Sequence, residues 1–225
     1  MSYILHIDTA VTSASVCLSD DQVLLEELVN PEMKDHAAWL HPAIRQLLAD
    51  NHIRMEQLSA IAVGAGPGSY TGLRVGMAAV KGLCFALGIP MITIPTLKMM
   101  AAAAIDEKTG GLLCPMIDAR RQEVFTAVFD QNLLEIRKTG NMILDPDSFS
   151  ETLEKDCITF FGNGSRKFQQ LTRHTNASFA QINATARHMI QLSFSDFTSN
   201  NFADTAYAEP QYGKEFYTPS VKASL

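Results

Sequence analysis

The chain has 225 residues, 47% of them hydrophobic and 19% charged, enough for one large domain or two small ones with their own cores. A formal net charge of −6 speaks against a surface that grips a nucleic-acid backbone unaided, so any RNA in its pathway is expected to be held by a partner. "MSYILHIDTA" lacks a basic leader segment, and the longest apolar stretch (75–94) contains Lys81 and Pro90; neither a secretory signal nor a membrane span is expected. Cys17, Cys84, Cys114 and Cys157 are far apart and form no CxxC pair, which reads as buried, reduced thiols in a cytoplasmic protein.

In chain order, strand-like runs at 3–8, 14–19 and 23–29 are separated by turn-prone residues such as Asp20 and Asp21. A helical stripe follows over 36–50, with Leu40, Ile44, Leu47 and Leu48 on one side and Pro42 in its early turns. Next come a strand at 60–64, a glycine loop, a helix over 71–88, a strand at 91–94 and a helix over 96–105. The second half predicts strands at 112–118, 123–129 and 133–143, a helix near 147–154 and a strand at 157–161. A "GNG" turn (162–164) and helices near 165–172 and 184–194 complete it. The closing "YGKEFYTPSVKASL" reads as a loose tail.

The halves echo each other. "ILHIDTAVTSASVCL" (4–18) and "CPMIDARRQEVFTAVF" (114–129) both spell strand, Ile-Asp, short turn, strand, and each half continues through strand, helix, strand, glycine turn and helix. This predicts a duplicated α/β unit, a mixed sheet flanked by helices, with a boundary near 105–111, hence lobes of 1–105 and 106–225. The arrangement resembles the actin, sugar-kinase and Hsp70 ATPase superfamily, whose Asp-x-Gly turns hold hydrated magnesium and let backbone N–H groups approach phosphate. Here Asp8, with Thr9 beside it, and Asp118 remain, but Ala10 and Arg120 stand at the glycine positions. The turns are expected to be vestigial, their aspartates serving as turn-closing residues.

Other chemistry is sparse in the sequence. His36 and His41 are five residues apart, about 140° around a helix, so they share no face for a metal. No G-x-S-x-G elbow or Cys–His pairing is readable, and Ser69 and Thr71 read as a turn residue and a helix cap. "GAGPGSYTGLRVG" (64–76) lacks the lysine of a P-loop and the spacing G-x-G-x-x-G. The helix after it carries charge only at Arg74 and Lys81 and is otherwise apolar or small nearly all round, which calls for burial on more than one side. Gly72, Gly76, Ala79 and Gly82 would let a second helix come close, from a partner molecule or from 36–50 of the same chain.

"IDTA" with "ASVCL", "HAAWLHPAIRQLL", "GPGSYTGLRVGMAAVKGL" and "DARRQEVF" together resemble the bacterial TsaB (YeaZ) family, densely over 4–129 and thinly to Gly164 and "EPQY" (209–212). The resemblance implies a two-lobed actin-like fold without catalytic activity. It implies an accessory subunit that binds and activates the catalytic subunit TsaD, with the ATPase TsaE joining them, in making threonylcarbamoyladenosine in tRNA. Pairing through the first two N-lobe helices, as a homodimer or with TsaD, points to Leu40, Ile44, Leu47, Gly72, Leu73, Gly76, Ala79, Val80 and Leu83. tRNA would be reached only through the complex, and ATP or ADP at the interface with TsaD stays open. TsaD has a metal-binding H-x-x-x-H on the helix corresponding to 36–50; this chain has His36 but Leu40, so no metal is expected. Two other readings stay open: an active ATPase or small-molecule kinase of the superfamily, and a peptidase acting on TsaD, for which no nucleophile is evident.

Overall fold

The computed structural model describes residues 2–30 and 35–213. The loose tail expected from Tyr212 onward falls, beyond Gly213, outside the described residues.

The first sheet is built from β1 (Tyr3–Asp8), β2 (Ser15–Asp20), β3 (Val23–Val29), β4 (Leu58–Gly66) and β5 (Met91–Pro95), in the order β3-β2-β1-β4-β5. The second holds β6 (Leu112–Asp118), β7 (Glu123–Phe129), β8 (Glu135–Ile143), β9 (Ile158–Phe161) and β10 (Ala177–Phe179). Its order, β8-β7-β6-β9-β10, repeats the first. In each, the first three strands are antiparallel and the last two join in parallel. The duplication expected from the Ile-Asp echo is therefore a duplication of topology. β10 escaped the sequence reading because three residues are too few to show an alternation.

Helices α1 (His36–Asp50) and α2 (Tyr70–Leu87) cover one face of the first sheet. Leu40, Ile44 and Leu47 of α1 and Met77 and Val80 of α2 close over Leu5, Ile7, Val16 and Leu18. β4 is buried on almost every residue, as a central strand covered on both faces must be. The opposite face, lined by Ile4, Cys17, Ala62 and Ile92, packs against Met99 of α3 (Thr96–Asp106) and Ile190 of α6 (Ile190–Thr198). α3 also presents Leu97, Met100 and Ala104 to Ile117, Phe125 and Phe161 of the second sheet, so it serves both. The short helices α4 (Ser150–Leu153) and α5 (Ser165–Leu171) cover the far side of that sheet, where Phe149, Phe160 and Phe168 meet ring to ring.

After β10 the chain returns to the first sheet. The helix expected over 184–194 is a 3-10 turn at 186–189 followed by α6, whose Ser193 Oγ lies 2.8 Å from Nε2 of the buried His6. Ala203 bridges to Met91, and residues 203–213 run on as a strap along the first lobe.

Candidate functional site

Both Ile-Asp turns close in the same way. Asp8 Oδ1 accepts the Ala10 amide at 3.1 Å and Asp118 Oδ1 accepts the Arg120 amide at 2.6 Å, the i to i+2 bond of an Asx turn. Their surroundings differ. Asp8 is fully buried, and burial pushes its carboxyl up to about 6 against the pull of the Ala10 and Val11 amides. Its Oδ2 has no partner among the described residues. Asp118 is half-exposed and receives Lys167 Nζ at 2.6 Å. Burial works upward on it, but the lysine and the Arg120 amide outweigh this and hold the carboxyl below its usual value.

The glycine loop explains the sealing of the first turn. A Cβ on Gly64 would sit 2.5 Å from Asp8 Oδ1, and one on Gly68 would strike the Ala10 carbonyl. On α2, a Cβ at Gly72 would strike the Thr9 carbonyl and one at Gly76 the Thr9 hydroxyl. Thr9 Oγ1 donates to the Gly72 carbonyl at 2.7 Å, and Ser69 N donates to the Ala10 carbonyl at 2.8 Å. Ser69 also caps α2, accepting the Gly72 amide at 3.2 Å. The glycines at 64, 68, 72 and 76 thus admit the chain's own first turn, not a phosphate and, at 72 and 76, not a second helix. A hydrated magnesium with its nucleotide does not fit here, because the carboxylate that should meet it is walled in by Gly64 and Ala10. Arg120, at the second turn, has φ 70, so a long side chain occupies a backbone conformation that glycine takes most easily.

Most of the residues assigned to docking face inward. Leu40, Ile44, Leu47, Leu73 and Val80 are buried in the core of this chain, as are Gly72 and Gly76; Ala79 and Leu83 are partly buried against it. The sequence could not set the phase of α2, because a helix apolar nearly all round shows no preferred face. The face left open consists of Thr71, Arg74, Ala78, Gly82, Phe85 and Ala86. Phe85 is 86% exposed, and a Cβ on Gly82 would meet nothing within 4 Å.

Arg74 and Lys81, the two charges of α2, hold the strap. Lys81 Nζ donates to the Ala206 and Ala208 carbonyls at 3.0 and 3.1 Å. Arg74 Nε donates to the Tyr212 hydroxyl at 3.0 Å, with its guanidinium 4.2 Å from the Tyr70 ring centre. Gln211 N donates to the Ala65 carbonyl at 2.7 Å, so close to Gly66 that its φ of 111 and lack of a side chain are both required. No sequence signal marked this contact; "EPQY" (209–212) carried only the thin end of the family resemblance.

Other chemistry is scarce among the described residues. The His6–Ser193 pair is fully buried, and burial pushes the imidazole down to about 4, which leaves it a packing contact and no route for a substrate. No group of three His, Cys, Asp or Glu side chains is placed to hold a metal among the described residues. Cys17, Cys84 and Cys114 are buried, whereas Cys157, expected to be buried, is exposed. No helix among the described residues is long and apolar enough to cross a membrane.

Two repeated sheets with helices between and outside them define a two-lobed, actin-like α/β protein. An activator of 2-hydroxyisocaproyl-CoA dehydratase from Clostridium difficile, solved with bound ADPNP, shares this fold with TM-score 0.51 at 8% identity, over 88% of this chain and 97% of its own. The family model described as "TsaD: tRNA N6-adenosine threonylcarbamoyltransferase" matches residues 24–214. The tRNA threonylcarbamoyladenosine biosynthesis protein TsaB of Bacillus subtilis is 30% identical over 188 residues, 82% of this chain and 81% of its own length. A Pseudomonas aeruginosa structure described as similar to the peptidase YeaZ superposes with TM-score 0.85 at 24% identity, over 95% of this chain and all of its own. The chain belongs to the TsaB (YeaZ) family of tRNA threonylcarbamoyladenosine biosynthesis proteins.

Proposed function

We propose that this chain is a non-catalytic subunit of the assembly that makes threonylcarbamoyladenosine in tRNA, binding and activating TsaD with TsaE as the accompanying ATPase. The observation that carries this reading is the pairing of a sealed aspartate turn with an open apolar helix face. Asp8 is spent inside the fold, while Ala78, Gly82, Phe85 and Ala86 of α2 stay uncovered. An isolated exposed phenylalanine is unremarkable, but one set on a run of small residues suits close approach by another helix. TsaD is the proposed occupant in the working complex, and a second copy of this chain in its absence.

The test is reconstitution of tRNA modification from purified TsaD and TsaE with and without this chain. Modification is expected to require the chain, and Asp8→Asn is expected to support it fully. ATP hydrolysis by the chain alone, abolished in Asp8→Asn, would overturn the reading in favour of an active ATPase.

A further inference from the structure

The second turn is the open counterpart of the sealed first one. Arg120, Arg121 and Gln122 are exposed at the tip of the β6–β7 hairpin. The turn adjoins the carboxyl ends of the parallel strands β6 and β9, the edge at which open α/β sheets gather their ligands. Lys167 bonds Asp118 at 2.6 Å and the Glu123 carbonyl at 3.0 Å, and the "GNG" loop packs so tightly that a Cβ on Gly164 would lie 3.1 Å from Asp118 N. Arg166, beside Lys167 on α5, is exposed as well. Lys167 thus pairs with Asp118, and Arg120, Arg121 and Arg166 lie within three residues of that pair along the chain, in a protein whose net charge is −6.

Arg120 and Arg121 have φ of 70 and 50. Two successive arginines hold the left-handed region, where glycine or asparagine would be less strained, so the backbone does not explain the choice of residue. Neither guanidinium has a hydrogen-bond or ion-pair partner among the described residues, whereas Arg74, Lys81 and Lys167 each do.

We propose that the turn 119–122 contacts the phosphodiester backbone of the tRNA being modified, with Arg120 and Arg121 as donors and Arg166 and Lys167 as flanking charge. This rests on the tRNA-modification reading above. Guanidinium forks match phosphate oxygens in pairs. A protein partner is the poorer fit, since apart from its arginines the stretch 118–122 (Asp, Ala, Arg, Arg, Gln) offers no aromatic or large aliphatic side chain for the dry core of a protein interface. The contact is local: it adds to an RNA grip supplied mainly by other subunits, consistent with the acidic chain as a whole.

The experiment compares wild type, Arg120→Gly/Arg121→Gly and a distant charge control, Lys155→Glu, in the assembled complex with TsaD. An unmodified tRNA transcript is the probe, titrated at several salt concentrations. Glycines suit the backbone, so the thermal midpoint of the double variant is expected to hold or rise. TsaD co-purification is expected to be unchanged, tRNA affinity to fall about tenfold or more, and the salt slope to flatten by about 2, near 0.9 per phosphate contact. Lys155→Glu should leave all four readouts at wild-type values. Unchanged tRNA affinity in the intact complex would overturn the proposal, as would loss of TsaD binding (a protein contact) or an effect on ADP binding alone (a nucleotide contact). Failure of the wild-type chain to bind TsaD would instead defeat the subunit reading. Salt-dependent tRNA binding by the chain itself, wild type against double variant, would then decide the turn.

Discussion

Asp8 and His6, two residues apart on β1 and both fully buried, titrate in opposite senses. Burial raises Asp8 from 3.8 to about 6, so its contribution to stability is present at low pH and is lost as pH rises to about 6. Burial lowers His6 from 6.5 to about 4, so its contribution is present above 6.5 and is lost as pH falls toward 4. Between about 4 and 6 the two largely cancel. Asp8→Asn removes one of them: its stability relative to wild type should improve as pH rises from 4 to 7, by up to about 3 kcal/mol, in urea denaturation across that range. Its loss of stability in acid should steepen, with His6 left unopposed. An advantage independent of pH would refute the burial argument.

The glycines of α2 make a second test at the same scale. Gly82→Ala is expected to stabilise by up to about 1 kcal/mol, since its site is open and helical. Gly72→Ala should cost more than about 2 kcal/mol, because the methyl meets a backbone carbonyl that cannot move aside. Both glycines were visible in the sequence, but not their difference. A glycine offers no side chain to read, and the residue that demands Gly72 is Thr9, on the far side of three strands and a helix.

At the scale of elements, the sequence was most informative about where elements begin and end. β1, β3 and α1 begin and end where the apolar pattern places them, and α2 differs by one residue at each end. The stripe of Leu40, Ile44 and Leu47 was legible as a stripe, yet what it faces, its own sheet, was not. Arg74 and Lys81 were legible as one charged line on α2, but their partners are strap residues more than a hundred positions away. Because Arg74 and its tyrosines are exposed or half-exposed, Tyr212→Ala should lower global stability by less than about 1 kcal/mol. It should nonetheless speed hydrogen exchange at the Gln211 amide, which bonds Ala65; unchanged exchange would mean that Arg74 does not hold the strap.

For the whole molecule, the duplication was legible because each half repeats its strand-turn-strand opening, and local repeats survive in sequence. The return of the chain was not, because nothing local marks a helix as belonging to a sheet completed a hundred residues earlier. We propose that the first lobe comprises 1–105 together with 186–213, and the second the residues between, with α3 shared. Ending the chain at residue 185 would strip Ala186, Met189 and Ile190 from Ile4, Ala60 and Ile92, and is expected to abolish cooperative unfolding of the first lobe.

The same architecture frames the functional account: the first lobe closes its own aspartate turn with one side of α2 and leaves the other side open. The most direct test is the affinity of TsaD for Gly82→Arg, a change on the open face that meets nothing in its own fold. Docking of TsaD on this face predicts a thermal midpoint close to wild type, with TsaD binding and tRNA modification both lost. Wild-type affinity for TsaD in a folded Gly82→Arg chain would contradict it.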